Sequence, residues 1–259
     1  MAEPLRNYQT RVAAGARADA SIDLGLRAYM LRVYNLMALG LAITGLAALG
    51  TVMLVTTGDP SAAVATLPNG KMLTNLGVAL YGSPLRWVVM LAPLAMVFFL
   101  SFRVHKMSLS AAQTTFWAFA AVMGISLSSI FLVYTSASIV QTFFITAASF
   151  GALSLWGYTT KRDLTGMGSF LFMGLIGLII AMVVNIFLAS SALQFAISAI
   201  GVLIFAGLTA YDTQQIKEMY YEGDGTLVAG RKAIMGALRL YLDFINMFMF
   251  LLQFLGNRE

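Results

Sequence analysis

The amino-acid sequence predicts an all-α membrane protein, a bundle of seven transmembrane helices, and three observations carry that prediction. Of its 259 residues, 59% are hydrophobic and only 10% are charged, whereas soluble domains carry roughly 25% charged residues. Apolar windows of about 20 residues, the length a helix needs to cross a bilayer core, recur along almost the whole chain. The cations then alternate from side to side in the way seven crossings require.

The spans are expected at residues 28–55, 84–102, 110–134, 139–158, 166–188, 193–212 and 234–255. Residues 1–27 read as a polar cytoplasmic tail, because the basic stretch "MAEPLRNYQTRVAAGARADASIDLGLR" lacks the apolar core and small-residue cleavage site of a secretory signal. Residues 28–259 then form one membrane domain. The turn-rich "TTGDPS" and "LPNGK" punctuate a long loop after the first span, and the charged "KEMYYEGDGTLVAGRK" precedes the last. The other links are short, and no soluble domain is expected.

Orientation follows from the positive residues, which are retained on the cytoplasmic side when loops are short. Arg6, Arg11, Arg17, Arg27 and Arg32 lie in the tail and first span. The links after spans two, four and six add Arg103, Lys106, Lys161, Arg162, Lys217, Arg231, Lys232 and Arg239. Only Lys71, Arg86 and Arg258 fall on the other side, so the N-terminus is expected in the cytoplasm and the C-terminus outside. The net charge of +5 is thus a topology signal. No aromatic-interleaved basic patch accompanies it, and nucleic acid is not an expected partner. The absence of cysteine removes disulfides and thiolate metal sites.

Small residues at helical spacing, namely Ala38 and Ala42, Gly124 and Ser128, and Gly174 and Gly177, are expected at helix contacts, since helices in lipid associate by close backbone approach.

Nine of the eleven acids lie in tails and loops, which leaves Asp212 and Asp243 at membrane depth. Asp243 sits about nine residues into span seven, roughly 13 Å from its start. An acid there costs several kcal/mol unless it is partnered or faces a water-filled cavity. If span six continues as helix through "DTQQIK", the two carboxylates come within hydrogen-bonding reach, with Asn246 at i+3 from Asp243 on the same face. Two plainer readings stand beside this one. Asp212 can mark a helix end, with Thr213, Gln214 and Gln215 at the water boundary, and Arg239 can satisfy Asp243 one turn away along the same helix. A close pair would share one proton, because two like charges cannot both ionise cheaply. Its oxygens are also the hard ligands that Ca²⁺ prefers. The candidate site is therefore Asp212 and Asp243 for proton sensing and Ca²⁺ contact, with Tyr211, Arg239 and Asn246 as supporting polar residues. Arg103 in "FFLSFRVHKMS" is a candidate latch, and the single histidine, His105, reads as interfacial.

The stretches "GLTAYDTQQIK", "LYLDFINMFMFLLQFLG" and "FGALSLWGYTTKRDLTGMGSFLFMGLIGLIIAMVVNIF" resemble the Bax inhibitor-1 family, the transmembrane Bax inhibitor motif proteins, in its bacterial branch. The resemblance covers the chain from about Arg27 to Gly256. It implies an inner-membrane bundle whose last helix is surrounded by the other six, and a pH-sensitive calcium leak in which Asp212 and Asp243 form the sensing pair and Arg103 matches a latch of some members. It implies as an alternative a non-transporting regulator of protein quality control or stress survival, working with a membrane protease. The longer segment between the acids and the long first loop depart from the family's pattern.

An enzymatic reading finds less support. Intramembrane aspartyl proteases need Gly-x-Gly-Asp at the second acid, and in this chain Leu240, Tyr241 and Leu242 precede Asp243. There is no phosphate-cradling glycine loop and no Ser, His and Asp set. No enzyme activity and no cofactor are expected, and the partners are the bilayer and Ca²⁺.

Overall fold

A computed structural model of the chain describes residues 3–258, and the side chains from residue 24 onward. It has seven helices long and apolar enough to cross a membrane. Helix α1 runs Glu3–Val55, β1 to β3 follow at Thr56–Thr57, Ala65–Thr66 and Met72–Leu73, and a short α2, Asn75–Gly77, passes into a π-helical turn, Val78–Gly82. Then come α3 Leu85–Arg103, α4 Leu109–Leu127, α5 Ile130–Val133, α6 Ser136–Thr159, α7 Thr165–Leu188, α8 Ser191–Glu218 and α9 Thr226–Leu255.

Side-chain caps explain several starts. Ser108, Thr135 and Ser190 each accept a hydrogen bond from the backbone N–H three residues on, satisfying donors that a helix N-terminus leaves open. Between α7 and α8, Ala189 takes a left-handed φ of 48°, and Asn185 Oδ1 accepts the Ser190 N–H at 3.0 Å to hold the turn.

The structure adds detail to three expectations. The expected tail is helical back to Glu3, with the membrane-crossing part of α1 at Leu24–Val55. The third span breaks at Ser128 and Ser129, where the Ser128 hydroxyl bonds the Ile125 carbonyl and meets Tyr81 Oη at 2.6 Å, competing with the helical ladder. The first loop is not irregular throughout, since its strands pair antiparallel in the order β1-β3-β2. Apolar windows also stop short of the helix ends: α8 continues to Glu218 and α9 begins at Thr226, because charged residues end a hydropathy window without ending backbone hydrogen bonding.

The last helix is the axis of the bundle. Within the most apolar stretch of each span, 72% of α9 is buried against at most 39% of any other. It packs on α8, α1, α6 and α4, and its Leu240, Tyr241, Leu238, Met247 and Leu252 are inaccessible. Tyr241 Oη lies 2.6 Å from Thr44 Oγ1, which also reaches the Ala120 carbonyl at 2.9 Å, so one hydroxyl pair joins α9, α1 and α4. Phe116 and Phe119 meet the Tyr241 ring edge-on. Tyr241→Phe should remove about 1 kcal/mol, read as a Tm lower by about 2–4 °C in detergent.

Of the small residues singled out by spacing, Gly124 is at a contact: a Cβ there would sit 2.4 Å from the Thr44 carbonyl of α1. Gly174 faces Ile204 of α8. Ala38, Ala42 and Gly177 point outward, since spacing alone does not say which side of a helix the bundle occupies.

Candidate functional site in the crevice between α7, α8 and α9

Helix α7 packs chiefly on α8, with only 11% of its most apolar stretch buried. Beneath it lies a crevice of about 840 Å³. Its walls are largely apolar, from Phe172, Met173 and Leu178 on α7 to Phe205, Leu208 and Phe250 on α8 and α9. Its polar residues are Ser169, Tyr211, Asp212, Arg239, Asp243 and Asn246.

The two acids meet in this crevice. Because α8 continues for six residues past Asp212, that carboxyl is carried inside the helix and not at its end, and it lies within hydrogen-bonding reach of the Asp243 carboxyl. Asp243 is only 5% exposed, and its Oδ2 is buried with no hydrogen-bond partner. Arg239 does not close on Asp243 along α9. Its Nη1 pairs with Asp212 Oδ1 across the two helices at 3.9 Å, while half of its side chain stays exposed.

The supporting residues divide. Asn246 lines the crevice and donates its side-chain N–H to the Leu242 carbonyl at 2.8 Å. Tyr211 lies over Gly168 of α7, where a Cβ would come within 2.5 Å of the ring. Arg103 is not brought to the pair: it is exposed at the end of α3, outside the crevice, and α3 packs chiefly on α4. The guanidinium that faces the acids belongs to Arg239. His105 is exposed on the turn after α3.

Gln214, which the helix-end reading of Asp212 puts at the water boundary, is buried. Its Oε1 accepts the Leu164 N–H and its Nε2 donates to the Arg162 carbonyl, both at 2.9 Å, so it ties the α6–α7 link to α8. A link of chain that passes near a distant helix leaves no mark in sequence spacing, so nothing in the linear pattern points to this role. In the same link, hydrogen bonds from the Thr165 side chain and backbone hold the Asp163 carboxyl below its ordinary range. Gln214→Leu would orphan the buried Leu164 donor at a cost of about 1–3 kcal/mol. The expected readout is faster amide exchange at Leu164, with slow exchange retained in the core of α9.

The same chain segments decide its kinship. A family model described as "Inhibitor of apoptosis-promoting Bax1" matches residues 26–259, which takes in both acids and all seven spans but for the first two residues of the first. The chain belongs to the Bax inhibitor-1 family. Among its relatives, an uncharacterised protein of Rickettsia prowazekii is 47% identical over 96% of this chain and 98% of its own length. One from Caulobacter vibrioides is 47% identical over 98% of both chains. The inner membrane protein YbhL of Escherichia coli is 51% identical over 66% of this chain and 74% of its own.

Proposed function

We propose that this Bax inhibitor-1 family member is a pH-sensitive Ca²⁺ leak of the inner membrane, gated by the proton held between Asp212 and Asp243. The observation that carries the reading is the meeting of these two carboxyls in the α7, α8 and α9 crevice, with one buried oxygen of Asp243 lacking a partner. An unpaired buried acceptor calls for a proton or a cation to complete it.

With a shared proton the pair ties α8 to the central α9, and the crevice stays sealed. Loss of that proton leaves two like charges in contact, whose repulsion, about 4 kcal/mol at 4 Å in a medium of intermediate dielectric, favours separation of the helices. Arg239, held loosely on Asp212, moderates that repulsion without cancelling it. Two carboxylates and the Asn246 amide oxygen supply fewer than the six to eight oxygens, roughly, of a held Ca²⁺. That shortage suits passage better than storage. No catalytic step and no cofactor enter this reading, and the positive-inside pattern favours a cytoplasmic α8–α9 link and N-terminus.

The test is Ca²⁺ entry into liposomes holding the purified protein between pH 6 and 8. A leak that rises with pH supports the gate. If no Ca²⁺ enters at any pH, the leak is refuted and a non-transporting role beside a membrane protease takes its place.

A further inference from the structure

A second cavity, of about 270 Å³, opens at the end of the bundle that holds the α8–α9 link. His105, from the turn after α3, lines it with Arg231, Lys232 and Arg239 of α9, over a floor that includes Met219 and Met235. Three permanent cations in so small a space repel one another unless something negative balances them. Two of the three have a carboxylate partner, and Arg231 has none among the described residues. Asp224 bonds Lys232, and Asp212 reaches only Arg239, at 3.9 Å.

The cations are also held in place from behind. Arg231 donates through Nε and Nη2 to the Met107 carbonyl, and Lys232 Nζ donates to the Met219 carbonyl at 3.0 Å. Side chains anchored in this way lose little freedom when a ligand arrives, and a guanidinium presents fixed donors suited to oxyanions.

We infer that this cavity is a binding site for a phosphate-bearing anion, held by Arg231, Lys232, Arg239 and His105. Charge-assisted, bidentate contact to phosphate is the chemistry for which this set is suited. Arg239 lines both this cavity and the crevice of the acid pair, so the anion and Asp212 compete for one guanidinium. Binding at one site then weakens the other, and by linkage the effect is reciprocal. The anion site requires no ion flux through the bundle.

The experiment uses full-length protein in nanodiscs of neutral phosphatidylcholine. One arm titrates inorganic phosphate and pyrophosphate by calorimetry. The other adds phosphatidylglycerol to the discs and counts lipids retained by native mass spectrometry. Saturable binding in the first arm identifies a soluble anion, and retention in the second alone identifies a lipid headgroup. In whichever arm binds, Lys232→Gln and Arg231→Gln should each weaken binding about tenfold, the loss of one charge-assisted contact. Lys106→Gln, outside the cavity, should leave it unchanged. Asp212→Asn should tighten binding about threefold by releasing Arg239, and this variant removes no contact to the ligand. The site is overturned if neither arm binds, or if binding is equal in wild type, Lys232→Gln and Asp212→Asn.

Discussion

Asp243→Asn is expected to abolish the pH dependence of Ca²⁺ entry, leaving a leak at every pH between 6 and 8 equal to that of the wild type at its acid limit. The amide is neutral and still able to donate to Asp212 across the α8–α9 contact, so it imitates the proton-sharing pair and cannot be ionised out of it. Asp212→Asn should do the same from the other side, although it also releases Arg239. In the wild type the entry rate should rise roughly tenfold over this range, a modest fraction of what a few kcal/mol of charge repulsion can shift. Asp243→Leu separates the gate from mere structure. It fills the buried position without polarity, so the bundle should stay folded while the pH response disappears. A pH profile unchanged in all three variants would show that the acids do not gate. A leak that becomes high and pH-independent in Asp243→Asn would mean that the pair opens when neutral, reversing the direction of the gate.

The acid pair is legible in the sequence because expensive residues are rare in hydrocarbon. Two of eleven acids remain once tails and loops are removed, and both lie in the crevice. The seven crossings are legible for a related reason, since hydrophobic length and the side on which cations fall are linear properties of a chain. Contacts between spans are not. Arg239 is nearer Asp243 in sequence, but the continuation of α8 beyond Asp212 brings the other acid to it. Arg103 sits in the last turn of α3, a helix that contributes no residue to the crevice. Tyr241 and Gln214 look like an ordinary aromatic and an ordinary polar end, because their partners, Thr44 and the Arg162–Leu164 backbone, lie 197 and about 50 residues away.

The spacing of small residues does not single out Gly157, yet Gly157→Ala is expected to be among the most damaging single-methyl additions in the bundle. A Cβ at this position of α6 would stand 2.2 Å from the carbonyl oxygen of Ala210 on α8, and 2.9 Å from its Cα. Backbone cannot rotate aside as a side chain can, so the two helices must move apart by about 1 Å or strain elsewhere, at a cost near the upper end of the roughly 1–3 kcal/mol seen for overpacking. Tm in detergent should fall by roughly 6–12 °C. The displaced segment carries Asp212 two residues on, the Ser154–Thr213 hydroxyl contact at 2.9 Å, and the Gln214 anchor. The surviving folded protein should therefore also show an altered pH response. Gly177→Ala is the matched control: nothing lies within 4 Å of the added carbon, and Tm should change little. The double variant Gly157→Ala with Ala210→Gly discriminates further. It removes the Ala210 side chain but not its carbonyl, so no rescue is expected. Recovery of Tm in that variant would show that α6 and α8 touch through side chains, and that the close backbone approach beneath the acid pair does not exist.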